Sequence, residues 1–311
     1  MDGRGAPGTD PDLSSRLAIG LSVLVLALPL LWGSAASVQA PDHTPAAELE
    51  QIQALLRRSS RALAAVDDYR GTLVKRERFG DELVEQTVEF KFSRPFKVYV
   101  KYVEPHPGRE VIYVRGSNRN KARAHKGSVP DIPVNLSPFG RIAMEDNHHP
   151  VTSFGLQNIL RIAARGIRNA IGRGDASIHL SDGGIVLRHP TWRIEMQART
   201  VGRHVTVRRS ENLWKLAKRV GQDMYVILHH NDDIRSPRDV RPGQSVFVPR
   251  YYGSRGEFFF SKRSHVMIKV VIWDHDGKLY ESYEFTELEL NPGLQERDFD
   301  YRNEDYDFVS R

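Results

Sequence analysis

The sequence has no cysteine among its 311 residues. A disulfide framework, a thiolate nucleophile and a cysteine-type zinc site are thereby excluded. So is a lipoprotein anchor, which needs a cysteine to carry its lipid. There is no His-Glu-x-x-His and no Gly-x-Ser-x-Gly elbow, and Gly172-Arg173-Gly174 lacks the third glycine of a dinucleotide loop. The pairs His148-His149 and His229-His230 have no third ligand at helical or strand spacing. Acidic residues are too numerous to single out a glycosidase pair. No enzyme activity, cofactor or metal is therefore expected. The formal charge of +6 is mild, and no basic stripe interleaved with stacking aromatics implies a nucleic-acid partner.

One long apolar run is present, over residues 17–32, preceded by Arg16 and followed by small residues ending Ser37-Val38-Gln39-Ala40. It is short for a spanning helix, which needs about 20 apolar residues. Residues 1–40 read as a secretory signal peptide cleaved after Ala40, and the mature chain as periplasmic. Asp2, Asp10 and Asp12 offset Arg4 and Arg16, so an uncleaved inner-membrane anchor is the alternative.

Beyond this segment, Leu49, Ile52, Leu56, Leu63 and Val66 recur at helical spacing and predict an amphipathic helix over residues 46–66. Val88, Phe90 and Phe92, then Phe96, Val98, Val100 and Tyr102, alternate with polar residues as strands with one buried face do. Gly80-Asp81 and Arg94-Pro95 fall where tight connections are expected. Residues 128–138 read as a loop, and residues 153–171 as a second helix capped by Ser153. Strands resume at Ala176, with a hairpin signal at Asp182-Gly183-Gly184. The pattern breaks at Val201 and resumes at Phe258, with a last strand over residues 280–290. The order of helix, strands, helix, strands predicts an α+β fold, a curved antiparallel sheet packed on helices.

The break contains a self-contained pattern: a short strand from His204, a helix through Leu213, Leu216, Ala217 and Val220 stopped by Gly221, a second helix through Tyr225, Ile227 and Leu228, and a turn at Arg241-Pro242-Gly243-Gln244 into a closing strand. The first strand followed by Asn212-Leu213-Trp214-Lys215-Leu216-Ala217, then Asn231, then Arg241-Pro242-Gly243-Gln244 with Val246 and Val248-Pro249, resembles a LysM domain, the small sugar-binding module of bacterial cell-wall proteins. The resemblance implies a βααβ module over residues 203–251 that binds peptidoglycan through N-acetylglucosamine. By position it implies contacts from Ser210, Glu211 and Asn212 in one loop and from Asp232, Asp233 and Ile234 in the other. The family usually has Gly-Asp at Ser210-Glu211, and often proline at Asp232. Residues 203–250 hold ten basic against five acidic residues, most of the net charge, which favours capture of the carboxylate-bearing peptide stems at low salt. Trp214, between Leu213 and Leu216, is expected in the module's core rather than as a sugar platform.

The flanking segments, residues 46–199 and 258–308, carry a second resemblance. Residues 69–78, 89–96 and 276–285, with Leu288, Leu290-Asn291 and Phe299, look like an uncharacterised family of exported proteins similar to the LolA-like lipoprotein carriers. That superfamily folds as a half-open antiparallel barrel over helices, and some members hold lipid or acyl chains in the concave face. A lipid, lipoprotein or protein partner is implied for this part of the chain. Phe90, Phe92, Val98 and Val100 are expected to turn inward, whether the concave face is a filled core or an acyl pocket. An envelope-stress regulator and a wall hydrolase with an unrecognised site are the alternative functions.

Overall fold

The computed structural model describes residues 44–128, 132–198 and 202–308. The expected signal segment lies outside them. Period-two alternation builds most of the chain into one antiparallel sheet. Its first strands are β1 (Asp68–Phe79), β2 (Glu82–Ser93), β3 (Lys97–Glu104), β4 (Glu110–Val114), β5 (Ala122–His125) and β6 (Val134–Leu136). Later come β7 (Ala176–Val186), β8 (His189–Ala198), β11 (Arg255–Ser261), β12 (Met267–Trp273) and β13 (Leu279–Leu290), the numbers β9 and β10 belonging to the insert described below. The spatial order is β6-β5-β4-β3-β2-β1-β13-β12-β11-β8-β7. The sheet is open, with β6 and β7 as its edges, and it is larger than the sequence pattern suggests.

Two long helices, α1 (Ala46–Ala64) and α3 (Leu156–Arg173), share one core with the sheet. Ile52, Leu55 and Leu63 of α1 and Leu160 and Ile167 of α3 join Phe90, Phe92, Val98 and Val100, all buried. The last described residues fold back on β3 and β4. Tyr306 stacks on Tyr99 with 4.1 Å between ring centroids, and Phe299, Phe308 and Ile112 complete that second cluster.

Three local expectations are corrected. Ser153 does not cap the second helix: residues 151–153 form a separate 3-10 turn, and α3 begins after Gly155. The Tyr69 hydroxyl accepts from Leu156 N at 2.9 Å and so does the capping. Gly155 has φ +111°, and a Cβ there would stand 2.5 Å from the same hydroxyl, so only glycine lets the chain pass. Asp182-Gly183-Gly184 is not the hairpin turn. β7 runs through it with a bulge, and the chain reverses at Leu187-Arg188, both at positive φ. A Cβ on Gly183 would lie 2.4 Å from Thr191 Oγ1, so that glycine serves close strand approach. β5 was not foreseen, and β6 lies inside the expected loop.

Between β8 and β11 the chain leaves the sheet as β9 (Gly202–Thr206), α4 (Leu213–Val220), α5 (Met224–His229) and β10 (Ser245–Pro249). β9 and β10 pair with each other in a separate two-stranded sheet. Leu213, Leu216, Ile227, Val246 and Val248 form its own core. β8 and β11 are hydrogen-bonded neighbours, Gln197 opposite Arg255, and Ala198 N donates to Ser254 O at 2.7 Å. The insert therefore departs and returns at one clamped point, which an insertion into an existing sheet requires. Among the described residues no helix is long and apolar enough to cross a membrane.

Candidate functional site

The sheet and the helices enclose a cavity of about 640 Å³. This decides between a filled concave face and a hollow one. Leu73, Val88, Val100, Phe258, Val270 and Phe285 line it from the sheet, and Ile159, Ile162 and Ile167 from α3. Ile132, Val134 and Ile142 also line it and stand 65 %, 44 % and 64 % exposed. They mark an apolar rim. Ile142 lies on the short helix α2 (Arg141–Met144).

One end of the cavity is charged. In β1, Leu73, Lys75 and Glu77 share the inward face, and in β13 Glu281, Tyr283 and Phe285 do the same. The register pairs Leu73 with Phe285, Lys75 with Tyr283 and Glu77 with Glu281. Two buried carboxylates thus stand directly opposite each other, a destabilising pairing unless it is bridged. Several donors bridge it. The Tyr283 hydroxyl lies 2.5 Å from Glu77 Oε1 and 3.1 Å from Glu281 Oε2. Lys75 Nζ donates to Glu77 at 2.9 Å and His148 N donates to it at 3.1 Å. Tyr252 donates to Glu281 at 2.7 Å. His148 Nδ1 is 3.2 Å from Glu281 and its Nε2 is 2.9 Å from Arg78 O. Burial pushes Glu77 up, but Lys75, His148 and the Tyr283 hydrogen bond outweigh it and hold the carboxyl at about 2. Burial acts the same way on Glu281, and the two histidines hold it well below the usual carboxylate range.

Glu77, His148 and Glu281 offer ligand atoms within 4.8 Å of one another, close enough to share a cation. This trio comes from β1, β13 and the segment after α2, so the search for ligands at local spacing could not find it. Three of its four carboxylate oxygens are already engaged. Both nitrogens of His148 lie within hydrogen-bond distance of oxygens, and the carboxylate oxygens accept from Lys75 and two tyrosines. The arrangement is a buried ionic network in which most members hold one another.

A second hollow of about 630 Å³ lies beside the insert. Trp214, Tyr225, Asp232, Ile234 and Arg235 line it from the insert, and Phe79, Phe139 and Arg141 from the main sheet domain and α2. Trp214 is 40 % exposed, which corrects its expected place in the core. The inward face of α4 is Leu213, Leu216 and Ala217; Trp214, one residue past Leu213, is rotated about 100° away. Of the expected glycan residues, Asp232 and Ile234 line this groove, whereas Ser210, Glu211, Asn212 and Asp233 do not. Ser210 is exposed at φ +64°. Glu211 pairs with Arg219 at 2.7 Å and accepts from Arg208 N at 2.8 Å. Asn212 caps α4, its Oδ1 accepting from Lys215 N. Asp233 is exposed and accepts from Gln244, and Ile234 is 4 % exposed. Asn231 is a staple: its amide donates to Ile227 O and Phe247 O and accepts from Phe247 N.

An open antiparallel sheet that encloses a largely apolar cavity, interrupted by a small module with its own core, defines a two-part protein with one hollow under the sheet and a second lined by both parts. Residues 66–215 and 246–308 match the family described as "Protein of unknown function (DUF1571)". The match covers more than half of the chain, which therefore belongs to this family. Residues 205–249 match the LysM domain. A comparison with curated proteins finds no match. Among solved structures the chain is similar to a DUF1329 family protein from Desulfovibrio piger, at 9 % identity and a TM-score of 0.34, covering 80 % of this chain and 97 % of that one. It is similar to the Pseudomonas aeruginosa MucA/MucB complex, at 11 % identity and a TM-score of 0.39, covering 80 % of this chain but only 60 % of that one. It is also similar to a LolA superfamily protein from Nitrosomonas europaea, at 10 % identity and a TM-score of 0.29, covering 80 % and 96 %.

Proposed function

We propose that this protein is a non-enzymatic binding protein of the bacterial envelope, a holder of an acyl chain tethered to peptidoglycan. The observation that carries the first half is the apolar cavity with its exposed rim of Ile132, Val134 and Ile142. Its volume falls within the roughly 300–1,000 Å³ of small-ligand pockets. Large apolar side chains held in water at its mouth are costly unless they meet an apolar ligand or surface. Native mass spectrometry of the chain purified from an envelope fraction is expected to show an acyl-lipid adduct that organic extraction removes. A wholly unliganded spectrum that exposure to lipid does not change would contradict this half.

The second half rests on the LysM match together with the groove beside Trp214. A sugar ring presents C–H groups on its faces and hydroxyls on its edges. Trp214 and Phe139 offer faces, and Asp232 and Arg235 offer hydrogen-bond partners. Residues 210–212 and 233 lie outside the groove; Asn212 caps the helix that carries Trp214, and Asp233 ties its loop to Gln244. Because Trp214 lies outside the core, Trp214→Ala should change stability by less than about 1 kcal/mol. The same change should abolish sedimentation of the chain with insoluble peptidoglycan at low and high salt alike. Replacing Arg208 and Arg209 should weaken capture at low salt alone. Urea melts beside sedimentation assays check both statements. A Trp214→Ala chain that is badly destabilised, or that still sediments fully, removes this assignment.

A further inference from the structure

The charged end of the cavity can be inspected group by group for spare hydrogen-bonding capacity. Lys75 Nζ has three protons and three partners: Glu77 Oε2 at 2.9 Å, Asp146 O at 3.2 Å and Asn147 Oδ1 at 2.6 Å. The Asn147 amide donates to Glu145 O. Tyr283 is held between the two carboxylates. The single proton of Tyr252 goes to Glu281, so its oxygen accepts from His149 Nε2, 2.7 Å away. The His149 ring lies over that of Tyr252, with an angle of 22° between them. This leaves Glu281 Oε1, an acceptor, and one spare nitrogen, His149 Nδ1. That nitrogen has no hydrogen-bond partner among the described residues, and the side chain is 19 % accessible on the cavity wall.

The charges point the same way. Glu281 is the counter-ion of His149, 3.8 Å from its Nε2, and it is shared with His148, Tyr252 and Tyr283. An anionic group at Nδ1 would give the ring a second acceptor on its unpaired side. We propose that His149 Nδ1 is the head-group anchor of the cavity, and that the ligand is a single acyl chain ending in anionic oxygens, a carboxylate or a phosphate. The chain would lie along Leu73, Val88, Val100 and Phe285, with its head against His149. Burial opposes the charged form of His149, but the hydrogen bond and charge of Glu281 outweigh it and raise its pKa above 6.5, which favours a ring that donates from both nitrogens. The inference rests on the acyl-binding reading of the cavity and adds the chemistry of the head.

Calorimetric titration of the full chain with laurate, dodecyl phosphate and methyl laurate tests it. A charge-assisted hydrogen bond in a dry site is worth roughly tenfold to a hundredfold in affinity. At least one of the two acids should therefore bind the wild-type chain about tenfold or more tighter than the neutral ester. Laurate alone would indicate a free fatty acid, and dodecyl phosphate alone a phospholipid-type head. His149→Gln, whose amide can still reach Tyr252, should reduce the preferred acid to the affinity of the ester and leave the ester unchanged. Equal binding of acids and ester by the wild-type chain, or an acid preference that survives His149→Gln, overturns the anchor while the cavity reading stands. No binding of any of the three overturns both. Should His149→Gln fail to fold, the wild-type ratio of acid to ester decides alone.

Discussion

Glu281→Gln is expected to lower the stability of the protein by about 3–5 kcal/mol, the usual result of removing one member of a buried charge pair. Glu281 is 5 % exposed at the side chain and accepts from Tyr252, Tyr283 and His148. The variant keeps the shape and removes the charge, so His148 and Lys75 are left with Glu77 alone. Against a typical total of about 5–15 kcal/mol, the loss should be plain in a urea melt. The double variant His148→Gln, Glu281→Gln should recover part of it, because the uncompensated partner goes too. Equal stability of Glu281→Gln and wild type would show that the network is not charged as described.

The second large effect is acid sensitivity. His229 is buried beside His148, with 4.5 Å between ring centroids, and its Nδ1 is 2.8 Å from the Tyr280 hydroxyl. Burial first, then the charge of His148 and His149, lowers its pKa from 6.5 to about 3. The unfolded chain therefore takes up a proton near pH 6.5 that the native chain refuses until about pH 3. The stability owed to neutral His229 is complete above pH 6.5 and is lost as the pH falls through that window, at up to about 1.4 kcal/mol per pH unit. Glu77, ordinarily at 4.5 and held at about 2, adds a second proton below pH 4.5, so the decline should steepen there. His149, whose pKa is raised, acts in the opposite sense: its contribution is present below 6.5 and is lost as the pH rises through its folded value. Urea midpoints measured from pH 7 to pH 4 should trace this limb, and His229→Gln should flatten its upper part. An unchanged slope in that variant would contradict the burial of a neutral His229.

Most of the long strands were legible because alternation is a local property. Phe90, Phe92, Val98 and Val100 declare an inward face in the sequence and keep it in the core. The insert was legible because its apolar positions recur at short spacing around Gly221 and Asn231. The charged end of the cavity was not, although its signal was present: Lys75 and Glu77 fall in phase with Leu73, and Glu281 with Tyr283 and Phe285. A charged residue at an inward position signals a buried network, but its partners depend on a register that joins residues about 200 positions apart. Trp214 was misplaced for a related reason. Sequence neighbours on a helix point about 100° apart, and only the placement of Leu213, Leu216 and Ala217 shows which way is in. The turn after β7 was missed because glycine reads as a reversal signal, while here it serves strand contact and Leu187-Arg188 take the positive φ.

A protein that holds an acyl chain while tethered to the wall should carry that chain to the wall. Purified sacculi mixed with radiolabelled laurate and the full chain test this in one centrifugation. The label should sediment with the sacculi when the wild-type protein is present and stay in solution when it is absent. With Trp214→Ala the label should remain in solution, bound to unsedimented protein. Label left in the supernatant while the wild-type protein sediments, or wild-type protein that does not sediment at all, would contradict the account.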